Sequence, residues 1–399
     1  MIYRETYMDF LEKWRDKRII KVVTGIRRCG KSTLLKMHRD NLIKAGVEES
    51  QILFVNFEDL DNEPLHDYKV LYKHVKEHLQ EGKMNYIFFD EIQTVEGFQK
   101  VVDSLFLLDN VDIYITGSNA YMLSGEIATL LTGRYVELRV YPFSFAEYRM
   151  SRPETEAKEE SFRRYMQVGG FPYTLQLDDI EQTDEYLSGL YNTIVLKDVM
   201  AHKKLTDINV LSRLCKLMAD NIGNISVIKR ISDTLTSAGR KTSNHTIESY
   251  ITALMDSYIF YPAYRIDVKG MDFLKTGAKY YLADIGLRNV MVGRKGGDVG
   301  HIVENMVYME LLRRGNEVYV GKNGNKEVDF VTIKGGKYAY YQVSLSIMDE
   351  ATKARELAPL ECIDDNFPKY LLTMDNFPPI SHNGIEQMYL LDWLLERER

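Results

Sequence analysis

Cysteine is scarce in this chain. Its three cysteines, Cys29, Cys215 and Cys362, lie far apart in 399 residues and form no CxxC pair. That excludes a disulfide scaffold and a cysteine-based zinc site, and the usage fits a reducing cytoplasm. There are only nine prolines and no biased tract, which leaves little room for a long disordered linker. No run reaches the ~18 uninterrupted apolar residues of a spanning helix. The opening Met-Ile-Tyr-Arg-Glu-Thr has no apolar core of a secretory signal, so a cytoplasmic protein without membrane contact is expected. The eight histidines show no metal-ligand spacing, and no Ser/His/Asp arrangement is readable. Positive charge in bulk is also missing: the net charge of −7 excludes coating of nucleic acid by overall attraction.

What is present is globular. Hydrophobic residues make up 45% and charged residues 27%, the balance of a folded chain, and the length suits two to four domains of roughly 100–200 residues. The charge is uneven. Residues 1–44 carry +7 and residues 226–295 carry +5, which leaves −19 on the remainder of a chain whose total is −7.

Short β-branched and aromatic runs at 19–24, 51–57, 85–90, 111–116 and 135–140 read as strands. Helical patterns at 32–44, 66–82, 97–109 and 119–131 alternate with them. This alternation predicts an α/β domain over 1–150 with a parallel sheet and helices on both faces. The acidic run 151–161 marks a boundary. A helical connector over 151–225, a helix–helix–ribbon module over 226–295 and an α+β unit over 296–399 follow. The last is read from a helix at 301–314 and strands at 317–321, 327–333 and 338–345.

The strongest motif is Gly25-Ile26-Arg27-Arg28-Cys29-Gly30-Lys31-Ser32, a full G-x-x-x-x-G-K-S/T between a strand and a helix. Glycines let backbone N–H groups wrap a phosphate, and the helix N-terminus adds its positive end. Lys31 reaches the β- and γ-phosphates, and the Ser32 hydroxyl ligates Mg²⁺. Arg28, Cys29 and Thr33 belong to the same ATP-binding stretch, with Cys29 read as loop filler. The apolar strand Tyr86–Phe89 ends in Asp90 and Glu91. Asp90 is assigned to Mg²⁺ and Glu91 to activation of the attacking water. The next strand ends Thr116-Gly117-Ser118-Asn119, so Asn119 or Ser118 is a candidate for the γ-phosphate or the water. Arg134 is a candidate arginine finger, in cis or from a neighbouring subunit.

Together with Phe89-Asp90-Glu91-Ile92-Gln93 and Gly133-Arg134, these residues resemble the bacterial and archaeal AAA-type P-loop ATPases that carry a characteristic C-terminal domain of unknown function. So do 141–148 (Tyr-Pro-Phe-Ser-Phe-Ala-Glu-Tyr), 169–172 (Gly-Gly-Phe-Pro), 279–287 (Lys-Tyr-Tyr-Leu-Ala-Asp-Ile-Gly-Leu) and 327–330 (Glu-Val-Asp-Phe), in the same order. The resemblance implies ATP binding with slow hydrolysis, a winged-helix middle and a C-terminal part resembling restriction endonucleases.

Within 226–295, one helix begins near Ile225–Ser232, and Ser243-Asn244-His245 caps a second, 246–258, with Ile247, Tyr250, Ile251 and Leu254 on one face. Lys229, Arg230, Arg240, Lys241, Lys269 and Lys275 permit DNA contact. In the last unit, Glu304, Asp329, Gln342 and Ser344 follow the order of a restriction-type site, but serine stands at 344 where lysine steadies the attacking water. A binding relic is favoured there over a nuclease. The expected protein is a Mg-dependent ATPase that couples ATP state to a nucleic-acid or protein partner. The alternatives are a nucleotide-switched DNA-binding or scaffold module with negligible hydrolysis, and an ATP-regulated nuclease. Self-association is compatible with all three.

Overall fold

A computed structural model describes residues 2–123, 131, 133–200, 207–237, 242–294 and 299–396. Contacts divide the chain into two compact units. The first spans 1–142 with 256–258, and the second spans 143–255 with 259–399.

The first unit is built on a five-stranded parallel sheet of order β2-β3-β4-β1-β5. Its strands are β1 (Ile20–Thr24), β2 (Ile52–Asn56), β3 (Asn85–Asp90), β4 (Val111–Gly117) and β5 (Tyr135–Arg139). Helices α1 (Glu5–Trp14), α2 (Lys31–Lys44), α3 (Tyr68–His78) and α4 (Phe98–Phe106) accompany it. β1 and β3 are buried along their whole length, as strands covered on both faces must be, whereas the edge strands β2 and β5 are only partly buried. Lys21 interrupts the apolar run of β1, yet it is buried in an ion pair with Asp112 of β4. Asp112 also accepts from Tyr114 Oη at 2.8 Å and from the Asp16 N–H at 3.0 Å. A buried charge is tolerated only when its partners are satisfied in this way. The helical pattern expected over 119–131 is found as a 3₁₀ turn at Ala120–Leu123, and 124–130 lie outside the described residues.

The second unit starts with helices α5 (Phe145–Arg149), α6 (Lys158–Val168), α7 (Ile180–Thr193), α8 (Ile208–Asp220), α9 (Ile228–Ser237) and α10 (Asn244–Asp256). Asp179 caps α7 by accepting from the Gln182 N–H at 2.7 Å, and Ser144 and Glu147 cap α5 reciprocally. An antiparallel ribbon, β6 (Phe260–Asp267) and β7 (Asp272–Leu282), follows. The remaining elements are α11 (Ile285–Val292), α12 (Val299–Arg313), β8 (Glu317–Asn323), β9 (Lys326–Lys334), β10 (Lys337–Ser344), α13 (Glu350–Glu361), β11 (Lys369–Thr373), β12 (Ile380–His382), β13 (Ile385–Tyr389) and α14 (Leu390–Leu395).

The ribbon does not stand apart from the strands that follow it. β6 pairs in parallel with β8 through Arg265 opposite Val320, so both belong to one eight-stranded mixed sheet of order β12-β13-β11-β10-β9-β8-β6-β7. Two of the glycine-containing segments also meet. The Gly170 N–H donates to Asp284 Oδ2 at 2.6 Å, while Asp284 Oδ1 accepts from Leu287 N at 3.2 Å and caps α11. A Cβ at Gly169 would lie 2.2 Å from Asp284 Oδ1, so glycine is required there. Burial pushes the Asp284 carboxyl up to about 6, against the backbone N–H groups that hold it down. Among the described residues, no helix is long and apolar enough to cross a membrane.

Candidate functional site

The loop between β1 and α2 turns on three positive-φ residues, Gly25 (143°), Arg28 (68°) and Gly30 (104°). Successive turns of this kind aim backbone N–H groups into one concavity suited to an anion. At Gly25 a Cβ would lie 2.1 Å from Val140 O, so no side chain fits. Cys29 is buried, with its Sγ 3.3 Å from Val140 O. Burial pushes its thiol above the ordinary value, the behaviour of a packing residue and not of a reactive one. Arg4, from the segment before α1, braces the loop from behind: it donates to Cys29 O at 3.2 Å and to Tyr141 O at 2.9 Å.

Lys31, Ser32, Asp90 and Glu91 converge at the C-terminal ends of β1 and β3. Lys31 Nζ donates to Gly25 O at 3.0 Å and Ile26 O at 3.3 Å and lies 3.5 Å from Glu91 Oε1. Thr116 Oγ1 donates to the Asp90 carboxylate at 2.7 Å, and the Ser32 hydroxyl lies beside it. Burial raises the Asp90 carboxyl above its ordinary value, and these two hydroxyls offset that only in part. Glu91 sits at φ 57°. Its N–H donates to Thr116 Oγ1 at 2.8 Å, and Gln93 Nε2 donates to its Oε2 at 2.6 Å. Burial works to raise the Glu91 carboxyl too, but Lys31 and hydrogen bonds from Gln93 and Ser118 outweigh it and hold it below the usual value. Ser32 and Asp90 form a pair of hard oxygen donors beside the loop, a donor set that suits Mg²⁺.

The other candidates are placed differently. Arg28 and Thr33 are exposed on the loop and on the first turn of α2. Of the two residues considered after β4, Ser118 lies 3.5 Å from Gln93 Nε2 beside Glu91, whereas Asn119 Oδ1 accepts from the Met122 N–H at 3.3 Å and opens the turn at 120–123. The structure does not bring Arg134 to the loop. Tyr135 is paired with Ile20 at the N-terminal end of the sheet, whereas the loop follows Thr24 at the other end. Arg134 is instead ion-paired with Asp103 and stacked 5.6 Å from the Phe106 ring. Sequence reasoning missed Arg4, Gln93 and the hydroxyl of Thr116. The last two lay inside quoted motifs without a role, and nothing local marks Arg4.

In the second unit, Glu304 (α12), Asp329 (β9) and Gln342 (β10) do gather, with a lysine that the sequence reading did not assign. Lys279 Nζ on β7 donates to Glu304 Oε1 at 2.9 Å and lies 2.8 Å from Glu327 Oε1. Tyr281 Oη donates to the same Glu304 oxygen at 2.6 Å. Burial and the Glu304 charge push the Asp329 carboxyl well above its ordinary value, although it accepts from the Val343 N–H at 2.9 Å. Gln342 bridges the Asp329 N–H and Glu356, and Ser344 turns away to donate to Ser346 O.

The +5 of residues 226–295 is partly consumed inside the fold. Lys279 and Arg288 are buried, and Arg294 pairs with Asp184 at 2.5 Å. Lys229, Arg230 and Lys269 are exposed. Arg240 and Lys241 lie outside the described residues, as does the side chain of Lys275.

An AAA domain model matches residues 17–149, and a model for a domain of unknown function matches 159–298. An uncharacterized protein of Haemophilus influenzae is 39% identical over 99% of both chains. An uncharacterized protein of Methanocaldococcus jannaschii is 29% identical over 90% of this chain and 85% of its own length. Among solved structures, a Walker-type ATPase of Pyrococcus abyssi superposes with a TM-score of 0.51 at 17% identity, covering 73% of this chain and 96% of that one, and so shares the fold. The P-loop sheet, the two domain matches in series and the full-length relative agree: this chain belongs to the family of AAA-type P-loop proteins that carry a following domain of unknown function, together with the Haemophilus influenzae protein.

Proposed function

We propose that this chain is a Mg-dependent ATPase that couples nucleotide state to a nucleic-acid or protein partner. The observation that carries the reading is the meeting of two acids with the phosphate loop. The Asp90 carboxylate, held by Thr116 Oγ1 at 2.7 Å, lies beside Ser32, and Glu91 lies 3.5 Å from Lys31. Lys31 and the loop N–H groups bind the phosphates, Ser32 and Asp90 hold Mg²⁺, and Glu91 takes the proton of the attacking water. When bound, the metal screens phosphate charge. Phosphate release by purified protein tests the assignment. Lys31→Ala is expected to lose nucleotide binding, and Glu91→Gln to keep binding but lose turnover. If both variants match wild type, the assignment is wrong.

A second reading, a nucleotide-switched binding module with negligible hydrolysis, draws support from the engagement of Glu91 by Gln93, Ser118 and Lys31. Nucleotide binding without turnover, together with salt-sensitive retention on DNA, would select it. The exposed Lys229, Arg230 and Lys269, on the helix–helix–ribbon module read as a winged helix, favour DNA as the partner. Turnover stimulated by single- or double-stranded DNA supports that choice, and turnover indifferent to both points to a protein.

The run α12-β8-β9-β10-α13-β11 is read as a restriction-endonuclease-like core that binds without cutting. Lys279 is already paired with Glu304 and Glu327, and Ser344 offers no ammonium. Plasmid nicking in Mg²⁺ or Mn²⁺ is expected to be equal for wild type and Asp329→Ala. Nicking lost in the variant would establish a nuclease.

A further inference from the structure

Gln93 lies two residues beyond Glu91, in the short turn Ile92–Thr94 that follows β3. Its Nε2 donates to Glu91 Oε2 at 2.6 Å and lies 3.5 Å from Ser118 Oγ. A carboxylate only accepts, so the amide nitrogen must face Glu91. The amide oxygen therefore points towards the end of β4. It is buried there, with no donor among the described residues. A Cβ on Gly117 would lie 3.0 Å from this oxygen and 2.5 Å from Met122 Sδ, so the missing side chain of Gly117 gives the amide its room. A buried acceptor left empty is costly, and in a native protein it asks for an explanation. This one lies beside the residue read as the catalytic base.

We propose that Gln93 is a positioning residue for hydrolysis, its Nε2 fixing the Glu91 carboxylate and its Oε1 accepting one hydrogen of the attacking water. The inference rests on the ATPase reading above. The other proton of the water passes to Glu91 as the water oxygen bonds to the terminal phosphorus. The bond from that phosphorus to the bridging oxygen breaks, leaving ADP and inorganic phosphate. Lys31 is not an alternative anchor for Glu91 during this step. Its ammonium is drawn to the nucleotide phosphates, while Gln93 remains in place.

Nucleotide affinity and single-turnover phosphate release, measured for wild type, Gln93→Leu, Glu91→Gln and the double variant, test the proposal. Gln93→Leu is expected to lower the rate at least ~10-fold with nucleotide Kd changed by no more than about two-fold. Added to Glu91→Gln it should cost nothing further, because both residues act on one water. Gln93→Glu keeps an acceptor but sets a like charge against Glu91, and should fall at least as far. Wild-type turnover with an unchanged Gln93→Leu rate overturns the proposal alone. So do independent, multiplying losses in the double variant, or a loss of Kd in step with melting temperature. A wild-type protein that binds ATP without any turnover overturns the ATPase reading, and this proposal with it.

Discussion

Lys279 of β7 donates to Glu304 of α12 across 2.9 Å in a setting that hides both side chains from water. The lysine carries a second carboxylate, Glu327 of β9, so one ammonium ties two strands of the mixed sheet to the helix that packs on it. A buried pair of this kind adds little over an apolar replacement of both partners, but removal of one partner strands a charge. Lys279→Met is therefore expected to destabilise the second unit by about 3–5 kcal/mol. Replacing Glu304 and Glu327 by Gln in the same chain should restore much of the loss. Urea unfolding of the three proteins reads the difference. A Lys279→Met chain as stable as wild type would mean that the cluster carries no net electrostatic load.

His38 supplies a pH dependence. It lies on α2 behind the phosphate loop, fully buried, 5.0 Å from the Tyr114 ring, with no hydrogen-bond partner on either ring nitrogen among the described residues. Burial, with Arg15 and Lys21 adding to it, pushes the imidazole down to about 4. The folded state thus stays neutral where the unfolded chain takes up a proton. Stability from this residue is full above about pH 6.5 and is lost as pH falls towards 4, at up to about 1.4 kcal/mol per pH unit. His38→Leu removes the dependence. Relative to wild type, the variant should gain on the order of 2 kcal/mol between pH 7.5 and pH 5. A stability difference that stays constant over that range would show that His38 takes up its proton in the fold as readily as in the unfolded chain.

The parts legible in the sequence are those with a local signal. The strands of the parallel sheet end within a residue or two of their apolar runs, because strands that pack against the core are mostly β-branched and aromatic. Gly25, Gly30, Lys31, Ser32, Asp90 and Glu91 were readable because backbone turn, helix start and strand end each demand a residue type at a fixed spacing. Lys279 was not. Periodicity marks β7 as a strand but does not say that its lysine meets a helix 25 residues on. The pairing of Arg265 with Val320 is likewise silent in the sequence, since a strand pattern does not name its neighbour. Beyond residue 345 no element is assigned from the sequence, and α13 there even holds a proline at 359. Gln93 looked like any polar turn residue, and only the geometry reveals its empty oxygen.

Thr116 joins the two acids through a single hydroxyl. Its Oγ1 donates to Asp90 Oδ1 at 2.7 Å and accepts from the Glu91 N–H at 2.8 Å. Both functions matter because Glu91 sits in the left-handed region at φ 57°, which a glutamate adopts only when its surroundings hold it there. Thr116→Val keeps the shape and the β-branching but removes both bonds. It leaves a buried N–H unpaired at a cost of about 1–3 kcal/mol, and frees Glu91 to relax. The expected result is a lower melting temperature, with turnover falling further than nucleotide affinity, because the displaced residue is the one read as the base. Thr116→Ser keeps the hydroxyl and should recover most of the turnover. Calorimetry and phosphate release on the two variants separate the roles. If Val and Ser behave alike in both measurements, the hydroxyl does not hold Glu91, and the positive φ has another cause.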